Sequence, residues 1–215
     1  MREKIFIIII SLSIGLCSGY FGMKYIRPSR QVIGFLPYWL ISKADKNYGK
    51  YITSLTYFGL NVGKDGKIVK FNTPSEEEPG WYTLRSGKVD TFLKNAKKDH
   101  ITLSLLVFSG NEATISALLS HPTSHAQNLI EDVKPIMQQY GFKDLNLDIE
   151  SVSVASEAAQ IQFTTFVKEV KRNMDKYHLG TLSIDVTPTA LIKPYLINLA
   201  EVSSVVDHII KHVAK

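Results

Sequence analysis

Three observations predict an α/β fold of the (β/α)8 TIM-barrel type, incomplete at about six β-α units and preceded by an N-terminal hydrophobic helix. Short apolar runs recur along the 215-residue chain, separated by helical stretches. The clearest helix lies between two such runs, as a parallel crossover requires. No glycine-rich phosphate loop follows the first run, where a doubly wound nucleotide-binding sheet would want one.

The strand candidates are residues 32–39, 54–62, 101–109, 144–151, 181–188 and 205–213. Each is rich in Ile, Val, Leu, Phe or Tyr and bounded by Gly, Pro, Asn or Asp. The clearest helix lies between the fourth and fifth. Ala159, Phe163, Phe166, Val170, Met174 and Tyr177 recur every three or four residues, with Lys168, Glu169, Lys171 and Arg172 on the other face. Gly180 is a plausible stop. Further helices are predicted over 124–140 and 88–98. A closed eight-stranded barrel takes about 250 residues, and 32–215 fall two units short of it.

Composition narrows the function classes. With 45% hydrophobic and 21% charged residues the chain is globular rather than disordered. Its net charge of +5 is concentrated in residues 1–30, where Arg2, Lys4, Lys24, Arg27 and Arg30 face only Glu3. The remainder carries about +1 and shows no basic stripe for nucleic acid. Residues 1–23, with an uncharged apolar stretch from Ile5 to Met23, read as a cleaved signal peptide or a retained membrane anchor. Residues 24–31 read as a linker and 32–215 as the partial barrel. The one cysteine, Cys17, lies in the apolar stretch, so the barrel has no disulfide and no thiolate metal site.

The segment from Gly141 to Ser151 carries the chemistry. Alternate residues of a strand share a face, so Asp144, Asn146, Asp148 and Glu150 line one side while Leu145, Leu147 and Ile149 line the other. In a barrel the polar set points inward toward the C-terminal rim, where barrel enzymes place their sites. The bland alternative is an edge strand with a solvated acidic face. Tyr38 and Trp39 at the end of the first run, and Trp81 in the connection after the second, are candidate substrate-binding aromatics. Tyr57 and Phe58 read as core. The pairs His121/His125 and His208/His212 have metal-compatible spacing but lack a third ligand, so no metal and no cofactor is expected.

The segment resembles the strand-4 signature of family 18 glycoside hydrolases, D-G-x-D-x-D-x-E. Glu150 matches the general acid, Asp148 the neighbouring Asp and Asn146 the inner Asp/Asn, while Asp144 stands at the usual Gly and Lys143 at the first Asp. Residues 32–39 resemble the family's first strand, and 55–62 with 65–68 its second strand and turn. Residues 103–110 stand where the third belongs. The resemblance implies a glycoside hydrolase (EC 3.2.1.-) acting on β-1,4-linked N-acetylglucosamine polymers of chitin or peptidoglycan type, with retention and assistance from the substrate's own acetamido group. It gives Glu150 the role of general acid, which calls for partial burial. It gives Asp148, about 7 Å away at Cα, the role of orienting the acetamido N–H. Asn146 is expected to hydrogen-bond Asp148 and to simplify its titration.

Two departures from the family matter. The run 206–210 begins like the family's sixth strand, but the Tyr that helps hold the acetamido oxygen is absent. Strands 7 and 8 are absent too. The expectation is a C-terminally truncated relative, or a sheet closed by another chain, prone to aggregate and weak in hydrolysis. The alternative function is an inactive carbohydrate-binding or interaction domain. The expected partner is an N-acetylglucosamine-containing polysaccharide, met outside the cell or at its surface.

Overall fold

The computed structural model describes residues 31–44, 49–187 and 195–211. The chain divides into two units, Met1–Gln31 and Val32–Lys215, and every element below belongs to the second. The apolar leader or anchor, the linker up to residue 30, Pro188 and His212 lie outside the described residues. Among the described residues no helix is long and apolar enough to cross a membrane.

Six strands form one parallel, curled half-barrel: β1 (Ile33–Pro37), β2 (Ser54–Asn61), β5 (Thr102–Ser109), β6 (Asp144–Ile149), β7 (Thr181–Val186) and β8 (His208–Lys211), in that spatial order. A small antiparallel hairpin, β3 (Phe71–Thr73) with β4 (Glu76–Glu77), stands apart from the sheet. The helices are α1 (Pro79–Arg85), α2 (Asp90–Lys98), α3 (Glu112–Ser120), α4 (Pro122–Tyr140), α5 (Glu157–Lys176) and α6 (Leu199–Val202). Strand-helix alternation is therefore as predicted. The short hairpin, α1 and α6 are additions too brief for a helical or alternating period to register, and α3, as long as α2, lacks the lysine-bearing polar face that marks α2.

The strand ends differ from expectation for local reasons. The first run leaves the sheet at Pro37 and becomes a 3-10 turn over Tyr38–Lys43, which carries Tyr38 and Trp39 onto the rim. The sixth begins at His208 because Val205 and Val206 close the turn after α6 through N–H bonds to Val202 O, at 2.9 and 3.2 Å. Within β2 the register shifts between Phe58 and Leu60, a bulge at Gly59 that turns Asn61 toward the same face as Phe58. Gly59 and Gly80 meet there: a Cβ on Gly80 would collide with the Gly59 carbonyl, so α1 docks through bare backbone. The buried Tyr57 hydroxyl donates to Gly80 O at 2.7 Å. Burial, then the charge of Glu78, raises its pKa and keeps it a neutral donor.

The helices cover the outer face. Leu145, Leu147 and Ile149 of β6 join one apolar cluster with Leu129 and Val133 of α4 and Phe163, Phe166 and Val170 of α5. Ser156 caps α5 by accepting from Ala159 N at 3.2 Å. Gly141, at φ 74°, ends α4 in the left-handed conformation that favours glycine. The outer flank of β1, an edge strand, carries an apolar hollow of about 560 Å³ against Phe92 and Ala96 of α2.

Asp207 ties the last strand pair to α5. Its carboxylate accepts from Leu182 N at 2.8 Å and from Lys171 Nζ at 2.9 Å. Burial pushes the Asp207 carboxyl up, but the Leu182 N–H and the Lys171 ammonium outweigh it and hold its pKa below the usual carboxylate value. A depressed folded-state pKa contributes stability that is complete above the unfolded-state value and is lost as pH falls through the folded value. Thermal melts across an acid pH series are therefore expected to show wild type losing its margin over Asp207→Asn as pH drops. A margin independent of pH would contradict this.

Candidate active site

The strand registers assign the inner face residue by residue. Asp144, Asn146 and Asp148 of β6 stand beside Ser104, Leu106 and Phe108 of β5. On the other side Asp144 and Asn146 stand beside Thr181 and Ser183 of β7, and the alternation places Asp185 inward next. All six residues of β6 are buried and the strand is third from one edge, so the solvated edge-strand alternative is excluded.

Buried polar side chains need partners. Asp144 has three: Ser104 Oγ donates to Oδ2 at 2.6 Å, while Thr181 Oγ1 and Ser183 Oγ donate to Oδ1 at 2.7 and 2.8 Å. Asn146 differs from expectation. Its Nδ2 donates across to Asp185 Oδ1 at 3.0 Å instead of along its own strand to Asp148. The adjacent strand places a carboxylate within reach of that amide, whereas side chains two apart on one strand stand about 7 Å apart at Cα. Asn146 Oδ1 is buried and has no partner among the described residues. Asp148 is 4% exposed at the upper end of the ladder.

Glu150 lies just past the end of β6, at the rim. Its N–H donates to Ser109 O at 2.9 Å, and the residue is exposed. Among the described residues the partial burial expected of it is not present, because Ser151 onward leaves the sheet.

An aromatic row leads to these acids. Trp39, 52% exposed, meets Phe58 edge-on at 5.2 Å between ring centroids. Phe58 meets Phe108 at 5.7 Å, and Phe108 is the register partner of Asp148. Phe58 is thus a half-buried residue of the inner face rather than part of the core. The neighbouring Tyr57 is core, as expected. Tyr38 meets Trp39 at 5.0 Å and packs against the core behind it. Trp81 also packs against the core, with Lys70 Nζ 5.6 Å from its ring centre, and among the described residues no ring contact joins it to the row.

Asp185 and Phe108 were not singled out in the sequence, although a signal existed for each. Ser183 and Asp185 alternate with Leu182, Ile184 and Val186 in the same polar-apolar code as β6. Thr102 and Ser104 alternate with Leu103, Leu105 and Val107, a code that continued by two residues at a time puts Phe108 on the polar face. His121 and His125 face each other at 5.5 Å between ring centres near the start of α4, away from the ladder's strands.

The geometry is a parallel half-barrel with an acidic ladder on its fourth strand and apolar rings at its mouth. Solved structures align with this fold. The spore cortex-lytic enzyme SleL of Bacillus megaterium QM B1551 aligns with a TM-score of 0.66 at 13% identity, over 86% of this chain and 42% of that one. A chitinase from Bacteroides thetaiotaomicron aligns with a TM-score of 0.67 at 15% identity, over 86% and 53%. A GH18 chitinase from Cycas revoluta in complex with (GlcNAc)4 aligns with a TM-score of 0.63 at 14% identity, over 83% and 53%. The chain has the family 18 chitinase-like fold. It spans about half the length of these structures. No protein-family model matches it, and no curated protein matches it in sequence.

In this chitinase-like half-barrel, β8 presents His208 and Ile210 to the inner face, beside Ser183 and Asp185. The position at which the family resemblance implies a Tyr follows Lys211 and lies outside the described residues.

Proposed function

We propose that the chain is a glycosidase module for β-1,4-linked N-acetylglucosamine polymers, of chitin or peptidoglycan type, acting outside the cell or at its surface. The observation that carries this reading is the row Trp39–Phe58–Phe108 running to Asp148 and Glu150. Apolar rings, exposed at Trp39 and half-buried at Phe58 and Phe108, suit the flat carbon-hydrogen faces of pyranose units, and the row delivers such a unit to two carboxyl groups. The (GlcNAc)4 bound in the Cycas revoluta structure supports the ligand class. The basic-flanked apolar stretch from Ile5 to Met23 supports export.

In the reaction, Glu150 donates its proton to the glycosidic oxygen as the bond to the anomeric carbon breaks. The acetamido oxygen of the same sugar bonds to that carbon, giving an oxazolinium ion. Asp148 accepts the acetamido N–H and stabilises its growing positive charge. Water then opens the ring, returning its proton to Glu150, and configuration is retained. Sugar lying across the row would itself cover Glu150 and exclude water from it.

A second reading, sugar binding without turnover, is favoured by the exposure of Glu150. Calorimetry with chitotetraose, alongside release of chromophore from a chitobioside, separates the two. Binding with hydrolysis supports the glycosidase, binding alone supports the second reading, and no binding rejects both. Trp39→Ala is expected to weaken chitotetraose about three- to tenfold, the range of one aromatic contact. Unchanged affinity would remove Trp39 from the sugar path.

A further inference from the structure

Glu112, the first residue of α3, does not serve its own helix. Asn111 caps α3, accepting from Thr114 N at 3.0 Å. The Glu112 carboxylate instead turns to the segment that follows β6. Its Oε1 accepts from Val152 N at 2.9 Å, Ser153 N at 3.3 Å and Ser151 Oγ at 3.1 Å, and its Oε2 accepts from the same Ser151 hydroxyl at 3.1 Å.

These bonds have an unusual burden. Val152 and Val154 are 83% and 70% exposed, so apolar packing does not hold this stretch in place. On the other side of Glu150, its own N–H is held by Ser109 O at the end of β5. Residue 150 is therefore bracketed: one anchor lies at its amide, the other begins at the next residue, and both lead to the corner between β5 and α3. We infer that Glu112 is a positioning residue for Glu150, fixing the backbone from which the proton donor reaches the cleft. The inference rests on the reading of Glu150 as that donor. Burial pushes the Glu112 carboxyl up, but the Val152, Ser151 and Ser153 donors outweigh it and hold its pKa below the usual range, as a carboxylate gathering several donors should be.

The test compares wild type, E112A, E112Q and N111A in the full chain. Amide hydrogen exchange is followed at residues 150–153, with turnover on a chitobioside and melting temperature. E112A is expected to accelerate exchange at 150–153 at least tenfold. It should lower kcat about ten- to hundredfold, the scale of an ångström-level misplacement, with KM within twofold. E112Q keeps one acceptor oxygen and should recover part of both losses. N111A should lower the melting temperature while leaving exchange at 150–153 and kcat as in wild type, which separates positioning from helix stability. Unchanged exchange at 150–153 in E112A, or an unchanged kcat in an active protein, overturns the inference. Wild type that hydrolyses no sugar defeats the glycosidase reading and with it the catalytic purpose of Glu112, while the exchange measurement still accepts or rejects the tether itself.

Discussion

Glu150→Gln is expected to lower turnover on a chitobioside by about 10²- to 10⁴-fold, the range for removing a general acid, with the fold and sugar affinity retained. The side chain is exposed at the rim, and no hydrogen bond to it is part of the ladder. Replacing it by an isosteric amide therefore leaves stability within about 0.5 kcal/mol, as for surface positions away from special features. The backbone bond from residue 150 to Ser109 O survives, so the segment keeps its course. What is lost is the transferable proton: an amide can hydrogen-bond a glycosidic oxygen but cannot protonate it. Turnover, chitotetraose affinity and melting temperature measured on one preparation isolate that loss. Equal turnover in both proteins would take Glu150 out of the reaction.

Asp144→Ala is expected to cost about 3–5 kcal/mol of folding stability, because each buried hydroxyl left without an acceptor costs roughly 1–3 kcal/mol. Ser104 and Ser183 are each 2% exposed and donate to this carboxyl, as does Thr181. Asp144 thus ties three neighbouring strands, β5, β6 and β7, at the deep end of the ladder, far enough from Glu150 to serve structure rather than proton transfer. Asp144→Asn keeps the shape and one acceptor oxygen and should cost less than half as much. Urea unfolding decides between them: a shift in midpoint with an unchanged slope reports stability alone. A change below about 0.5 kcal/mol in the alanine variant would mean that the three hydroxyls find other partners.

The parts of the site that were legible share one property. They depend on the period of a single strand. Asp144, Asn146 and Asp148 alternate with Leu145, Leu147 and Ile149, and that code alone assigns one face inward and the other to the helices. The long helix α5 was legible for the same reason, its buried positions recurring with helical spacing. Phe58 was misassigned because its apolar side chain breaks the alternation that Ser54 and Thr56 begin against Leu55 and Tyr57, so it reads as core although it shares their face. Glu112 was invisible because its partners lie about forty residues away, on a segment without regular structure.

By itself the sequence determined the order of the strands and helices, the inward face of β6 and the likeness to the family 18 signature, since each follows from local spacing. Only the tertiary structure decided which neighbours complete the site: Asp185 as the partner of Asn146, the row from Trp39 to Phe108, and Glu112 beneath the segment after Glu150. The physical reason is that a parallel sheet pairs strands distant in sequence, so cross-strand contacts depend on register, and register is set by how the whole sheet packs rather than by any one segment.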